Sequence, residues 1–269
     1  MTSFIDTHCH LDRLSLPPAE AVQQARDAGV NTLMTISVDS QTLEQVDLLV
    51  QEHPEVYGSL GIHPHDASCY ETQVEEKIRK GCRENPKILA IGETGLDYHY
   101  LYSSKAQQQE AFRRQLELAI DLELPVVLHT REAEEDTLAI LREIPVPQRG
   151  VAHSFTGSEA MARELVEMGW KIGINGIVTF KNAADLREVV QGLPEDSILL
   201  ETDAPFLAPV PHRGKPNDPS KVPVIAKFLA PLLGMSLEQL AETTNHNAQS
   251  LFGFPPNSGF PQENGGVSP

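Results

Sequence analysis

Short apolar runs of five to eight residues alternate along this chain with longer segments in which apolar positions recur every three or four residues. The runs fall at 3–9, 30–37, 55–62, 87–92, 125–129, 150–154, 170–175 and 197–202, and their length and composition predict β-strands. Between them, helical periodicity covers 18–28, 42–52, 72–83, 104–122, 134–142, 158–168 and 183–191. Pro17 and Pro18 suit a helix start, and Gly29 and Gly169 suit helix ends. Eight strand-then-helix units predict an α/β protein with a parallel sheet, and eight is the number that closes into a (β/α)8 TIM barrel. An open doubly wound sheet is the alternative, but no Gly-x-Gly-x-x-Gly turn follows the first strand. Two further helices, 221–233 and 237–252, are expected to pack on the barrel exterior. Residues 1–253 therefore read as one domain, and 254–269 have the composition of a flexible tail.

A chain of 269 residues is long enough for such a barrel. Cys9, Cys69 and Cys82 are odd in number and lack Cys-x-x-Cys spacing, which argues against a disulfide framework or a Cys-rich zinc module. No run approaches the roughly 20 apolar residues that cross a bilayer, so no membrane partner is expected. With no secretory leader read at the N-terminus, the expected setting is the reducing cytoplasm, and the expected state is a monomer. The formal net charge of −17 changes the picture more. An acidic protein repels long polyanions unless positive charge is concentrated locally, by metal ions or a few Arg and Lys side chains.

In a barrel, catalytic groups gather at the C-terminal ends of the strands. His8 and His10 share a strand face, because residues two apart point the same way, while Cys9 points away. A bare His-x-His is weak by itself. The other strand ends, however, carry His63 and His65, Glu93 and Asp97, His129 and Arg131, His153, and Glu201 and Asp203. One rim thus collects four imidazoles (His8, His10, His129, His153) and two carboxylates (Glu93, Asp203). That exceeds what one tetrahedral zinc needs, and a two-metal site with a bridging carboxylate uses the whole set. Glu93 is the expected bridge, since its strand lies midway between the first and last ligand strands. Imidazole ligands favour Zn or Mn over Mg on softness, though the sequence fixes none of the three.

Five ordered motifs carry a resemblance: Thr7-His8-Cys9-His10-Leu11-Asp12, Gly92-Glu93-Thr94-Gly95-Leu96-Asp97-Tyr98, His129-Thr130-Arg131-Glu132-Ala133, Ala152-His153-Ser154-Phe155-Thr156-Gly157 and Glu201-Thr202-Asp203-Ala204-Pro205. Together they resemble the TatD family of metal-dependent hydrolases. The segments Pro209–Asn217 and Gly176–Phe180 look most like its YcfH branch. The likeness runs from about residue 4 to 252. It implies a barrel of the amidohydrolase type and a centre of two divalent metal ions. His8, His10 and Asp203 would hold one ion, His129 and His153 the other, with Glu93 between. It also implies a nuclease, since the family includes deoxyribonucleases, some acting 3′→5′ on single strands. Ser154 stands where many relatives carry Cys, and the Asn245-His246-Asn247 run matches no pattern.

The expected catalytic groups are Glu93, setting the metal spacing, and Asp203, moving the proton. Expected substrate contacts are His63, Arg131, Arg213 and Lys215, for which loop structure or ordinary solvation is the competing account. His65 is expected on the surface. Asp97 is read as either an orienting group or a cap, Glu201 as a hydrogen-bonded acid behind the ligands, and His53, His99, His212 and His246 as surface or loop residues. The expected substrate is a DNA end or another phosphodiester. The alternative is an amide or ester, such as a nucleotide-linked or aminoacyl-tRNA bond, and a non-catalytic metal-binding protein is a third reading.

Overall fold

A computed structural model describes residues 2–254 of the chain. Its eight strands are β1 (Phe4–Cys9), β2 (Val30–Ile36), β3 (Val56–Leu60), β4 (Ile88–Asp97), β5 (Val126–Arg131), β6 (Gly150–Ala152), β7 (Lys171–Ile174) and β8 (Ile198–Leu200). All pair in parallel, in sequence order. Between them run α1 (Pro18–Asp27), α2 (Thr42–Glu52), α3 (Thr72–Glu84), α4 (Lys105–Leu122), α5 (Glu134–Glu143), α6 (Glu159–Glu167) and α7 (Ala184–Gln191). After β8 come α8 (Val222–Leu232) and α9 (Leu237–Phe252). This is the (β/α)8 barrel that the alternation predicts. Pro18 opens α1, and Gly29 and Gly169 follow helix ends at φ +89° and +85°, the left-handed region where glycine carries no steric cost.

The ring closes less evenly than it runs. The seam after β8 carries one parallel bridge, Cys9 of β1 to Ala204 on the loop beyond β8, with Asp203 N donating to His8 O at 2.9 Å and His10 N to Ala204 O at 2.8 Å. Below that seam the Asn245-His246-Asn247 run finds its role. Asn245 accepts from Ile5 N and donates to Ser3 O, while Asn247 donates to Glu195 O and Ile198 O. Two asparagines of α9 thus satisfy backbone groups on both sides of the seam, and His246 between them is exposed.

Apolar packing divides into two layers. The larger lies between the strands and the surrounding helices and includes Cys9. The smaller fills the lower lumen with Ile5, Met34, Tyr57, Val127, Val151 and Leu199, and is plugged by Ala248, Phe252 and Phe254. Two expectations change here. α9 does not lie wholly outside the barrel: its C-terminal turn seals the N-terminal mouth. Phe254, expected to begin the tail, is buried with its ring 5.1 Å from that of Tyr57, because the plug needs one more aromatic ring than the helix supplies. The rest of the expected tail, 255–269, lies outside the described residues. Among those described, no single helix is long and apolar enough to cross a membrane.

Strand lengths differ from the apolar runs where the site is built. β4 runs five residues past the expected end at 92, carrying Glu93 inside the strand. The continuation depends on Gly92 and Gly95, at φ +139° and +140°. A Cβ on Gly92 would lie 2.4 Å from Val127 O, and one on Gly95 2.0 Å from His129 O, so both positions need a bare backbone against β5. β6 and β8 stop early, at Ala152 and Leu200, and leave His153 and Asp203 on the loops that rise from them.

Candidate metal centre

The lumen above the apolar plug holds a cluster of imidazoles and carboxylates. Three groups come from the β1/β8 side: His8 and His10 have their Nε2 atoms 3.3 Å apart, and Asp203 Oδ1 lies 3.7 and 3.5 Å from them. Three come from the opposite side: His129 Nδ1 is 2.9 Å and His63 Nε2 3.5 Å from Glu93 Oε1. Each set of three brings its donor atoms close enough to share one cation. Glu93 joins them. Its Oε1 faces His63, His129 and His153, while its Oε2 lies 3.5 Å from His8 Nε2 and 3.9 Å from His10 Nε2.

All six residues expected as ligands are therefore together, but the grouping differs from the expected one. His63, expected as a substrate contact, lies among the metal-capable groups beside Glu93 and His129. Its loop is held there by the Gln115 side chain, which accepts from Ile62 N at 2.8 Å and donates to Ile62 O at 3.0 Å. His153 stands between the two sets rather than paired with His129. Its ring stacks on His8 at 3.6 Å between centroids, with Nε2 3.2 Å from Glu93 and Nδ1 3.3 Å from Glu201.

The outer ring nitrogens are oriented by their neighbours, as metal-bound histidines require. His10 Nδ1 lies 3.1 Å from Ile36 O, and His129 Nε2 3.1 Å from Asp97 Oδ2. Asp97 also meets His65 Nε2 at 3.2 Å, so His65, expected on the surface, is half-buried at the cavity wall. Gln108 fixes Asp97 by accepting from its N and donating to its O. Glu201 is fully buried, accepts from Ser154 N at 2.6 Å, and occupies space that a side chain on Gly173 would fill.

Sequence reading missed Asp6. This buried carboxylate accepts from Thr202 N (2.9 Å), Thr202 Oγ1 (2.6 Å) and His8 N (3.3 Å), tying the strand β1 that carries His8 to the loop after β8 that carries Asp203. The available signal was an acid inside a strand whose six residues are all buried.

Electrostatics divides the groups. Burial raises the Glu93 carboxyl, but His153, His63 and His129 outweigh it and hold Glu93 well below the usual carboxylate range. Burial lowers the imidazoles of His10, His129 and His153, yet Asp203, Asp97, Glu93 and Glu201 reverse this and hold all three above the ordinary histidine value. His8 and His63 stay below it, through burial and then the neighbouring His153 and His129. Burial also raises Asp6 to about 8, against its bonds from Thr202.

The donor set fits divalent cations. Two imidazole nitrogens 3.3 Å apart converge on one carboxylate oxygen, a set of nitrogen and oxygen ligands suited to a divalent cation. Buried His8 Nδ1 and Glu201 Oε2 have no hydrogen-bond partner, consistent with a cluster arranged around charge rather than around neutral bonds.

A cavity of about 680 Å³ opens over this cluster. Arg131 lines it, with its guanidinium 5.0 Å over the Tyr100 ring. Arg213 and Lys215 do not line it. The β8–α8 loop docks on the β7 side through Val210 N donating to Thr179 Oγ1, which carries Arg213 onto the Phe180 ring at 3.7 Å and leaves Lys215 exposed. Arg13, not anticipated, reaches the cavity wall beside Asp39.

A model of the family described as TatD related DNase matches residues 5–253. The metal-dependent hydrolase YabD of Bacillus subtilis, uncharacterized by its name, is 39% identical over 252 residues, spanning 92% of this chain and 98% of that protein. A protein of Erwinia amylovora named 3′-5′ ssDNA/RNA exonuclease TatD is 37% identical over 242 residues, spanning 87% and 93%. The crystal structure of YJJV, a TatD homolog from Escherichia coli, superposes with a TM-score of 0.89 at 32% identity, covering 94% of this chain and 98% of that one. The chain belongs to the TatD family and is a metal-dependent hydrolase.

Proposed function

We propose that this chain is a two-metal phosphodiesterase of the deoxyribonuclease type, removing nucleotides from the 3′ end of a single strand. The observation that carries the reading is the division of Glu93: one carboxylate oxygen faces the His63/His129 set and the other faces the His8/His10 set. A carboxylate divided in this way would let Glu93 serve both donor sets, as a two-metal site for phosphoryl displacement requires. Bound there, divalent ions supply Lewis-acid polarisation of the phosphoryl oxygen and lower the pKa of water.

The protein's own residues do the rest. His8, His10 and Asp203 would hold one ion, and His63, Glu93 and His129 the other, with His153 reaching Glu93 between them. Asp203 is the more open of the two carboxylates and lines the cavity. It stays ionised at neutral pH, because the His10 bond and nearby His153 outweigh its burial. That places it to accept a proton from the attacking water and return one to the leaving oxygen. Arg131 supplies the positive charge at the wall that an acidic chain needs to admit phosphate. The similarity to a protein named as a 3′-5′ exonuclease favours a strand end as substrate.

The test uses purified protein stripped of metal and reloaded with Zn, Mn or Mg. It is given 3′-labelled single- and double-stranded oligonucleotides beside generic phosphodiester and amide substrates. Stepwise loss of nucleotides from the 3′ end of single strands is expected. Turnover of amides alone contradicts the reading and favours the amide or ester alternative.

A further inference from the structure

Seven large apolar side chains are exposed among the described residues, and five of them, Tyr100, Leu101, Tyr102, Phe206 and Val210, sit on just two rim loops. Exposed apolar surface gathered at one place marks a binding surface. The first loop joins β4 to α4. Its Tyr100 and Tyr102 rings lie parallel within 2°, with centroids 5.6 Å apart. His65 braces both edge-on, at 5.7 and 4.9 Å, and Arg131 covers Tyr100. Tyr102 is left as the outermost ring, 71% exposed. The second loop rises from β8. There Phe206, half exposed, stands edge-on to His10 at 6.2 Å. Its backbone is anchored by Asn217, which donates to Thr202 O and Phe206 O.

Strand order fixes where these rings stand. In a ring of eight, the β4/β5 position and the β8/β1 position are diametrically opposed. Tyr100 and Phe206 therefore line the cavity from opposite sides, each beside one of the two donor sets, and Tyr102, stacked on Tyr100, extends the first wall outward. We infer that the two walls are stacking platforms for consecutive nucleobases, one on each side of the phosphodiester held over Glu93. This rests on the phosphodiesterase reading above and adds to it the part of the substrate that is recognised. Stacking suits this chain. Every base has a π-face, so the grip needs neither a basic groove nor a sequence preference, and an acidic surface cannot offer the groove. It also requires unstacked bases, which a single-stranded end supplies and a duplex does not.

The experiment compares single strands of one length in which the terminal, the penultimate or a distant base is replaced by an abasic tetrahydrofuran. Cleavage is measured with the metal-loaded protein, and binding by fluorescence anisotropy. For the natural chain, loss of either end base should raise KM and Kd by roughly 10-fold or more, and loss of the distant base should not. In Tyr102→Ala and Phe206→Ala the penalty for one abasic position each should shrink towards one. Tyr102→Phe and Phe206→Tyr should restore it, and circular dichroism melting checks that each variant is folded. Equal KM for base-bearing and abasic ends, or an undiminished penalty in both alanine variants, overturns the platforms while leaving a nuclease in place. A natural chain that neither binds nor cleaves any strand overturns the nuclease reading and this inference together.

Discussion

Glu93 and Asp6 are both buried carboxylates, yet their surroundings push them in opposite directions. Glu93 faces imidazoles on both sides and stays ionised, while Asp6 meets Thr202 and lies near Glu201, and titrates at about 8. Each difference has a consequence. An ion can enter only where imidazoles are neutral, and His10, His129 and His153 hold protons above the usual histidine value when no ion is bound. Metal affinity should therefore rise with pH, with protons released on binding, and proton competition should begin above the ordinary histidine range; calorimetry in buffers of differing ionisation enthalpy reads this directly. Asp6, mostly protonated at neutral pH, resembles an amide in charge and shape. Asp6→Asn should fold with little loss, whereas Asp6→Ala strands Thr202 N and should cost about 1–3 kcal/mol in urea unfolding. His8 and His10 were legible because a shared strand face needs only a spacing of two. Asp6 was not, since Ile5 and His8 both point into the lumen three residues apart. That change of parity comes from an irregularity in β1 between Asp6 and Cys9, which no alternation reveals.

α4 is an ordinary amphipathic helix by periodicity, and the sequence placed it well. Its buried face, however, carries Gln108 and Gln115, seven residues apart, where glutamine is ordinarily exposed. Each clamps both backbone groups of one residue, Asp97 and Ile62, immediately beside the site. An apolar replacement matches the volume but leaves an N–H and a C=O buried without partners. Gln115→Leu should thus destabilise the fold by roughly 3 kcal/mol. By releasing the loop that carries His63, it should also weaken metal retention, measurable by thermal melting with and without added ion. The strand runs located β4 but not its extension, because 93–97 does not continue the apolar run; the extension rests on Gly92 and Gly95, whose bare backbone allows close approach to β5. Arg213 and Lys215 were misplaced for a related reason. A loop's residues are legible in sequence, but the direction in which the loop folds depends on partners such as Thr179 that lie far away in the chain.

The whole molecule combines a net charge of −17 with one cavity whose wall carries Arg131 and Arg13. Proteins that bind nucleic acid through a basic face lose affinity steeply with salt, as neutralised phosphates release counterions. Here added salt screens repulsion between protein and strand, so kcat/KM on oligonucleotides should hold or rise between about 50 and 200 mM salt. A decline of orders of magnitude would point to an extended basic contact and contradict this expectation. Barrel closure follows the same economy of contacts: the loop beyond β8 makes one bridge to β1, with Asn245 and Asn247 of α9 sealing the seam beneath it. The barrel itself was readable from eight alternating units, and the shared rim from the residues at their ends. The number of ions bound is the point on which the rest depends. Metal content per chain, measured after reloading the stripped protein, tests it most directly. Two ions per natural chain are predicted, and in folded Glu93→Gln at most one, with cleavage lost. One ion in a fully active natural chain, or two ions and full activity in Glu93→Gln, would contradict a centre bridged by Glu93.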